Sequence, residues 1–198
     1  EVGRHIKARS GMRPVALELG NNSPNIVHYD ADVELAARQT AARSFHNAGQ
    51  ACIAVQRIYV HEDVFPAFSE QYIAHVKQLK VGDPEDPATD VGPMISEKEA
   101  KRTEEWVREA ISEGATALLP IRREGALFYP AVLVNTKPDM KVVCREVFAP
   151  VVTIIPYSDL EDAFAQANDS EYGLQAGIFT RDLNVAMKAA RTLEYGGV

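Results

Sequence analysis

The sequence predicts an α/β fold: a three-layer αβα arrangement in which helices cover both faces of a mainly parallel, twisted sheet. Three observations carry that prediction. Short runs rich in β-branched residues, such as Arg57-Ile58-Tyr59-Val60 and Val151-Val152-Thr153-Ile154-Ile155, alternate along the chain with longer stretches of helical spacing. Those runs are apolar at consecutive positions, as in strands buried on both faces. Capping and turn residues punctuate the junctions, and 46% hydrophobic with 25% charged residues is enough to build a core without staples.

Taken in order, Val2 to Ser10 reads as a helix closed by Gly11, and Val15-Ala16-Leu17-Glu18-Leu19 as a short strand ending at Gly20. Asn25 to Tyr29 is a second strand. Asp30 or Asp32 then caps a helix whose small face (Val33, Ala37, Thr40, Ser44, Ala48) runs up to Gly49. After the strand at Arg57-Val60, a helix from about Asp63 to Leu79 carries the stripe Phe65, Phe68, Tyr72, Val76 and Leu79. Pro84, Pro87, Gly92 and Pro93 make the next stretch a loop. Ser96 with Glu99 is a capping box for a helix reaching Gly114. A strand near Ala117-Leu119, a turn at Glu124-Gly125 and an extended stretch from Phe128 to Val134 follow. Val151 to Ile155 is a buried-type strand, Ser158 with Glu161 opens a capped helix, and Ala176-Thr180 is a strand. Asp182-Leu193 is a helix, and Gly197-Val198 begins another strand. The chain opens without Met and stops at strand-like residues, so a piece of a longer protein is expected.

Charge and cysteine content narrow the function. A formal charge of −7, with no Lys/Arg cluster longer than Arg122-Arg123, argues against nucleic acid or an anionic membrane as partner. Two cysteines, Cys52 and Cys144, are too few for a disulfide framework and fit a cytoplasmic protein. There is no apolar run of bilayer-crossing length, no glycine-rich phosphate loop and no metal-ligand spacing of His and Cys.

Four places can carry chemistry. In Phe45-His46-Asn47-Ala48-Gly49-Gln50-Ala51-Cys52, a thiol sits between a helix and a strand, behind a flexible glycine. A thiolate presented there is a nucleophile; in isolation a packed apolar thiol is the commoner outcome. Glu18 lies among apolar neighbours, where desolvation favours a general base, although the spacing alone favours an outward-facing strand residue. Glu146-Val147-Phe148-Ala149-Pro150 places a carboxylate and an aromatic at a strand entry, suited to a ribose and a planar cofactor, or equally to a plain turn with a solvated Glu. His46 is either a base paired with Cys52 or a pocket wall. Cys144, between Val143 and Arg145, has no nucleophile pattern and reads as structural.

Leu17-Glu18-Leu19-Gly20, Ser23-Pro24-Asn25-Ile26-Val27, Asn47-Ala48-Gly49-Gln50-Ala51-Cys52 and Glu146-Val147-Phe148-Ala149-Pro150 together resemble, in order and spacing, the aldehyde dehydrogenase superfamily. The stretch from Ala167 to Leu174 resembles it as well, so the likeness covers essentially all 198 residues. Within the superfamily the chain is most similar to bacterial lactaldehyde and phosphonoacetaldehyde types.

The resemblance implies that Cys52 is the nucleophile, Glu18 the general base for deacylation, and Glu146 and Phe148 the contacts to the nicotinamide end of NAD or NADP. It implies a pocket wall of His46, Ala51 and Ile53, with His46 hinting at a polar or acidic aldehyde. It also implies a homodimer or homotetramer, and hydrolysis rather than transfer to coenzyme A, because Glu18 is present. Residues 1–15 correspond to the tail of a dinucleotide-binding domain and 16–198 to a truncated catalytic domain, so the piece alone is expected not to turn over. Two departures stand out: Asn21-Asn22 where Gly-Lys is usual, and Ala149 where Gly is usual. The competing readings are a non-catalytic structural relative and a cofactor-free thiol hydrolase; the second leaves Glu146 and Phe148 without a role.

Overall fold

The computed structural model describes residues 2–198; Glu1 lies outside them. After helix α1 (Val2–Arg9) the elements are β1 (Ser23–Val27), α2 (Val33–Phe45), β2 (Val55–His61), α3 (Phe65–Gln78), α4 (Glu97–Ser112), β3 (Thr116–Ala117), β4 (Arg123–Glu124), β5 (Leu127–Phe128), β6 (Ala131–Val134), α5 (Lys141–Cys144), β7 (Val151–Tyr157), α6 (Leu160–Asn168), β8 (Gly177–Phe179) and α7 (Leu183–Thr192). Six strands form one sheet in the order β3-β6-β7-β2-β1-β8, parallel except for β3 on β6. β4 and β5 form a separate hairpin across Gly125.

Consecutive residues of the central strands face opposite layers, which explains their continuous hydrophobicity. Val27, Ile58, Val60, Val132, Val152 and Ile154 pack on one face with Ala36, Ala37, Ala41 and Phe45 of α2 and with Phe68, Tyr72 and Val76 of α3. On the other face Leu133 and Val151 meet α4 and α5, while Ile26, Tyr59 and Tyr157 meet α6 and α7. Small residues on α2 let it lie close to the sheet and to α3, where the Tyr72 hydroxyl donates to Ser44 Oγ at 3.0 Å. The three-layer αβα expectation therefore holds.

Local boundaries differ in instructive ways. Val15-Leu19 is not a strand: β1, which it feeds, already has β2 and β8 on its two sides, so no backbone ladder is left for it. α2 stops at Phe45 instead of running to Gly49, and its cap is Asp32, which accepts from the Leu35 N–H at 3.0 Å. α3 starts at Phe65, with proline in its first turn. Asp159, not Ser158, caps α6, accepting from the N–H groups of Glu161 and Asp162. Gly197 pairs with Gln175 in a single parallel bridge, the start of the expected last strand.

β1 and β2 do not pair evenly. Ser23 faces Val55, but Pro24 faces Arg57, so Gln56 is an extra residue bulged out of the ladder. The side-chain phase confirms this: Val55, Ile58 and Val60 all face α2 and α3, which strict alternation would forbid.

Candidate active site

The strand order brings the chemistry-bearing segments together. β7, β2, β1 and β8 are parallel neighbours. Glu146-Pro150 enters β7, Cys52 enters β2, Leu17-Gly20 enters β1 and Ala167-Leu174 enters β8, so all four motifs stand at the amino ends of adjacent strands. Open α/β sheets more commonly bind ligands beyond the carboxyl ends; here the amino ends carry the candidate residues.

Cys52 is half-buried and free, in a turn where the Ala54 N–H donates to Ala51 O at 3.0 Å. Ahead of it, Asn47, Ala48 and Gly49 have φ of +52°, +53° and +69°. Three successive left-handed residues reverse the chain where the sequence suggested continued helix, and two of them carry a Cβ, a conformation held only by surrounding contacts. Those contacts are visible: Asn47 Nδ2 donates to Gln50 O at 3.0 Å, the Gln50 N–H donates to Asn47 O at 3.0 Å, and Gln50 Oε1 accepts from the Ile95 N–H at 2.8 Å. The glycine is needed for space as well as for φ, because a Cβ at Gly49 would overlap the Ala149 carbonyl oxygen.

The turn at 146–150 is the hub. A Cβ on Gly20 would overlap Glu146 Oε2, and the Asn21 N–H donates to Glu146 Oε1 at 2.8 Å. Glu146 is half-buried; the Tyr172 hydroxyl, from the segment entering β8, accepts from its N–H at 3.3 Å. Phe148 has φ +51° and is 41% exposed. Asn21, Gly49, Ala51, Glu146, Phe148 and Ala149 line one crevice. That crevice unites Ala51, Glu146 and Phe148 from the sequence reading.

The remaining candidates lie beside this hub. Glu18 is exposed on the approach to Gly20, the outward-facing outcome its spacing favoured, although its segment is not a strand. His46 is exposed at the end of α2, and Ile53 is exposed in the cysteine turn. Cys144 is half-buried, its Sγ donating to Asp139 O at 3.5 Å, and it lines a separate groove with Arg57, Arg145 and Glu171.

Sequence reading passed over two buried polar side chains. Arg57 is 2% exposed and donates to Asn22 O, Gln166 O, Ala167 O, Tyr59 OH and Tyr195 OH at 2.9–3.2 Å. It ties the turn after Gly20 to the carbonyl end of α6. Gln56, equally hidden, reaches α5 and the 146–150 turn. An arginine directly ahead of the apolar run Ile58-Tyr59-Val60 was the available signal for the first; nothing in spacing marks a bulge for the second.

The aldehyde dehydrogenase family model matches residues 1–198. The 3-sulfolactaldehyde dehydrogenase of Priestia megaterium is 52% identical over 197 residues, and the lactaldehyde dehydrogenase of Methanococcus vannielii 46% identical over 198. Each match covers the whole chain and 41% and 42% of the respective relative. A glyceraldehyde-3-phosphate dehydrogenase from Methanocaldococcus jannaschii, solved with NADP, superposes with a TM-score of 0.95 at 44% identity, covering the whole chain and 43% of that structure. The chain thus spans about two-fifths of the length of these relatives, and it belongs to the aldehyde dehydrogenase family.

Proposed function

We propose that this chain is the catalytic region of an NAD- or NADP-dependent aldehyde dehydrogenase that oxidises an aldehyde to a carboxylic acid, with Cys52 as nucleophile and Glu18 as general base. The observation that carries the reading is convergence: Gly20, two residues after Glu18, and Gly49, three before Cys52, both press on the turn holding Glu146 and Phe148.

In this reading the Cys52 thiolate adds to the aldehyde carbon, forming an S–C bond and leaving an alkoxide on the former carbonyl oxygen. The Cys52 N–H can donate to that oxygen. A bound nicotinamide dinucleotide supplies the acceptor for the hydride whose loss converts the adduct to a thioester. Glu18 takes a proton from water as the water attacks the thioester carbonyl, and the thiolate leaves as the acid forms. Exposure of Glu18 suits a base that must meet water.

The residues present fit the nicotinamide end of such a cofactor. Glu146 engages Asn21 with one oxygen and keeps acceptor capacity for ribose hydroxyls. Phe148 offers an exposed ring beside the same crevice. Residues 1–15 read as the tail of a dinucleotide-binding domain and 16–198 as the catalytic domain, in a cytoplasmic homodimer or homotetramer. The aldehyde is taken to be small and polar, in line with the relatives named for lactaldehyde and sulfolactaldehyde, with His46, Ala51 and Ile53 as its wall.

The test uses the full-length protein, of the relatives' length. Cys52→Ala should abolish aldehyde-dependent NAD(P)H formation, whereas Cys144→Ala should keep it. Glu18→Gln should give a stoichiometric burst of NAD(P)H without steady turnover, because acylation survives and hydrolysis does not. Undiminished turnover in Cys52→Ala would refute the assignment, and steady NAD(P)H production by residues 1–198 alone would refute the claim that this region does not act by itself.

A further inference from the structure

We infer that Gln56 is a positioning residue for cofactor binding: the bulge in β2 turns its side chain out of the sheet, and its amide holds the backbone on both sides of Glu146. The inference rests on the proposed role of Glu146 toward the cofactor ribose.

The geometry is specific. Gln56 is 6% exposed. Its Nε2 donates to Val142 O at 3.1 Å and to Arg145 O at 2.7 Å, and its Oε1 accepts from the Val147 N–H at 3.0 Å. Arg145 and Val147 are the two neighbours of Glu146, so one side chain fixes the peptide entering that residue and the peptide leaving it. The Glu146 carboxylate is held separately, by the Asn21 N–H at 2.8 Å.

Three features argue that this is more than generic satisfaction of buried groups. First, α5 is a single turn of four residues, and its last carbonyls have no further helix to bond them. Asn22 Nδ2 covers Val143 O at 2.6 Å and reaches Arg145 O at 3.4 Å, and Arg102 Nη2 donates to Val147 O at 2.8 Å; Gln56 covers Val142 O and is the side chain that accepts from the Val147 N–H. Second, only an amide serves here, because the site needs two donors and an acceptor in one plane. Third, the bulge puts Gln56 there at the cost of a ladder position, and bulges beside active sites typically re-aim a side chain. Gln56 is four residues from Cys52 on the same strand entry, so the amide also fixes the distance between the nucleophile's strand and the ribose carboxylate.

The experiment is a double-mutant cycle in the full-length enzyme, with NAD and NADP dissociation constants read by fluorescence titration for Gln56→Met, Glu146→Gln and the double variant. Cys52 alkylation rates and thermal midpoints are followed alongside. The expected result is that Gln56→Met weakens cofactor binding about tenfold while Cys52 alkylation changes less than about twofold. In the Glu146→Gln background the Gln56 substitution should then add nothing. If Glu146→Gln weakens binding but Gln56→Met does not, or if the two losses add, the positioning role is overturned and the reading of Glu146 stands. If Glu146→Gln leaves binding intact, that reading itself fails and the inference with it. Should Gln56→Met not fold, amide exchange in the unaltered enzyme decides: a Val147 N–H protected without cofactor supports the clamp, and one exchanging as fast as an exposed amide overturns it.

Discussion

Gly49 stands with its α-carbon against the backbone of Ala149, so close that a β-carbon there would overlap the Ala149 carbonyl oxygen. This contact locks the cysteine turn to the Glu146–Pro150 turn, backbone on backbone, with nothing flexible in between. Gly49→Ala therefore meets two penalties, a φ of +69° and a rigid obstacle. A loss of about 3 kcal/mol or more in urea unfolding is expected, above the ~1–2 kcal/mol of an unfavourable left-handed residue alone. A loss below about 1 kcal/mol would mean that the two turns separate easily.

Gly20 offers the contrasting case. A β-carbon there meets the carboxylate end of Glu146, which can swing aside. Gly20→Ala should cost only about 1 kcal/mol, the scale of the displaced Asn21–Glu146 hydrogen bond. Cofactor affinity, however, should fall about fivefold or more as the carboxylate leaves its place. Parallel measurements of unfolding and cofactor binding separate the two effects, and a variant with both unchanged would remove Gly20 from the site.

How much of this was legible in the sequence follows from which physical rules act locally. The layers were readable because period and capping are local: α4 begins at the Ser96–Glu99 box, where Ser96 Oγ accepts from the Glu99 N–H, and β6 is apolar and buried on both faces. The expected strand Val15–Leu19 is absent because strand-like composition does not reveal whether a partner strand exists; pairing is a property of the whole sheet. The helix ending at Phe45 and the left-handed run after it were hidden because Ala48 has no left-handed preference and the run depends on Gln50, which Asn47 bonds and which the distant Ile95 N–H holds in turn. Gln56 was invisible for the same reason, since a bulge is a relation between two strands.

Arg57 predicts the largest stability effect among the polar side chains. Arg57→Met would leave Asn22 O without the donors it now has and would strip one donor each from Gln166 O and Ala167 O, which keep the Tyr59 and Tyr195 hydroxyls. About 3 kcal/mol or more should be lost. Arg57→Lys keeps the charge but replaces a planar fork by a point donor, and should recover only part of that. Full recovery by lysine in urea unfolding would show that charge, not the fork, is what the site needs.

His28 makes stability depend on pH. It is buried at the end of β1, where its Nδ1 pairs with the Tyr157 hydroxyl at 2.9 Å and its ring lies 4.4 Å from Tyr29 and 5.8 Å from His61, centroid to centroid. Burial pushes the imidazole below its ordinary value of 6.5, and the neighbouring His61 acts in the same direction; Asp30 and Asp182 oppose them without prevailing. The folded state then binds fewer protons at this site than the unfolded state, so stability rises with pH in that window. The contribution is complete above about 6.5 and is lost as pH falls from there through the lowered folded value. His28→Gln should accordingly be less stable than the unaltered chain at pH 7.5, by about 1 kcal/mol for the tyrosine hydrogen bond. The deficit should shrink as pH approaches 5, because only the unaltered chain gains a proton at this ring when unfolding releases it to water, which favours its unfolded state. Thermal midpoints of both chains at half-unit steps from pH 7.5 to 5 measure it, and a constant gap across that range would show that His28 titrates alike in the folded and unfolded states.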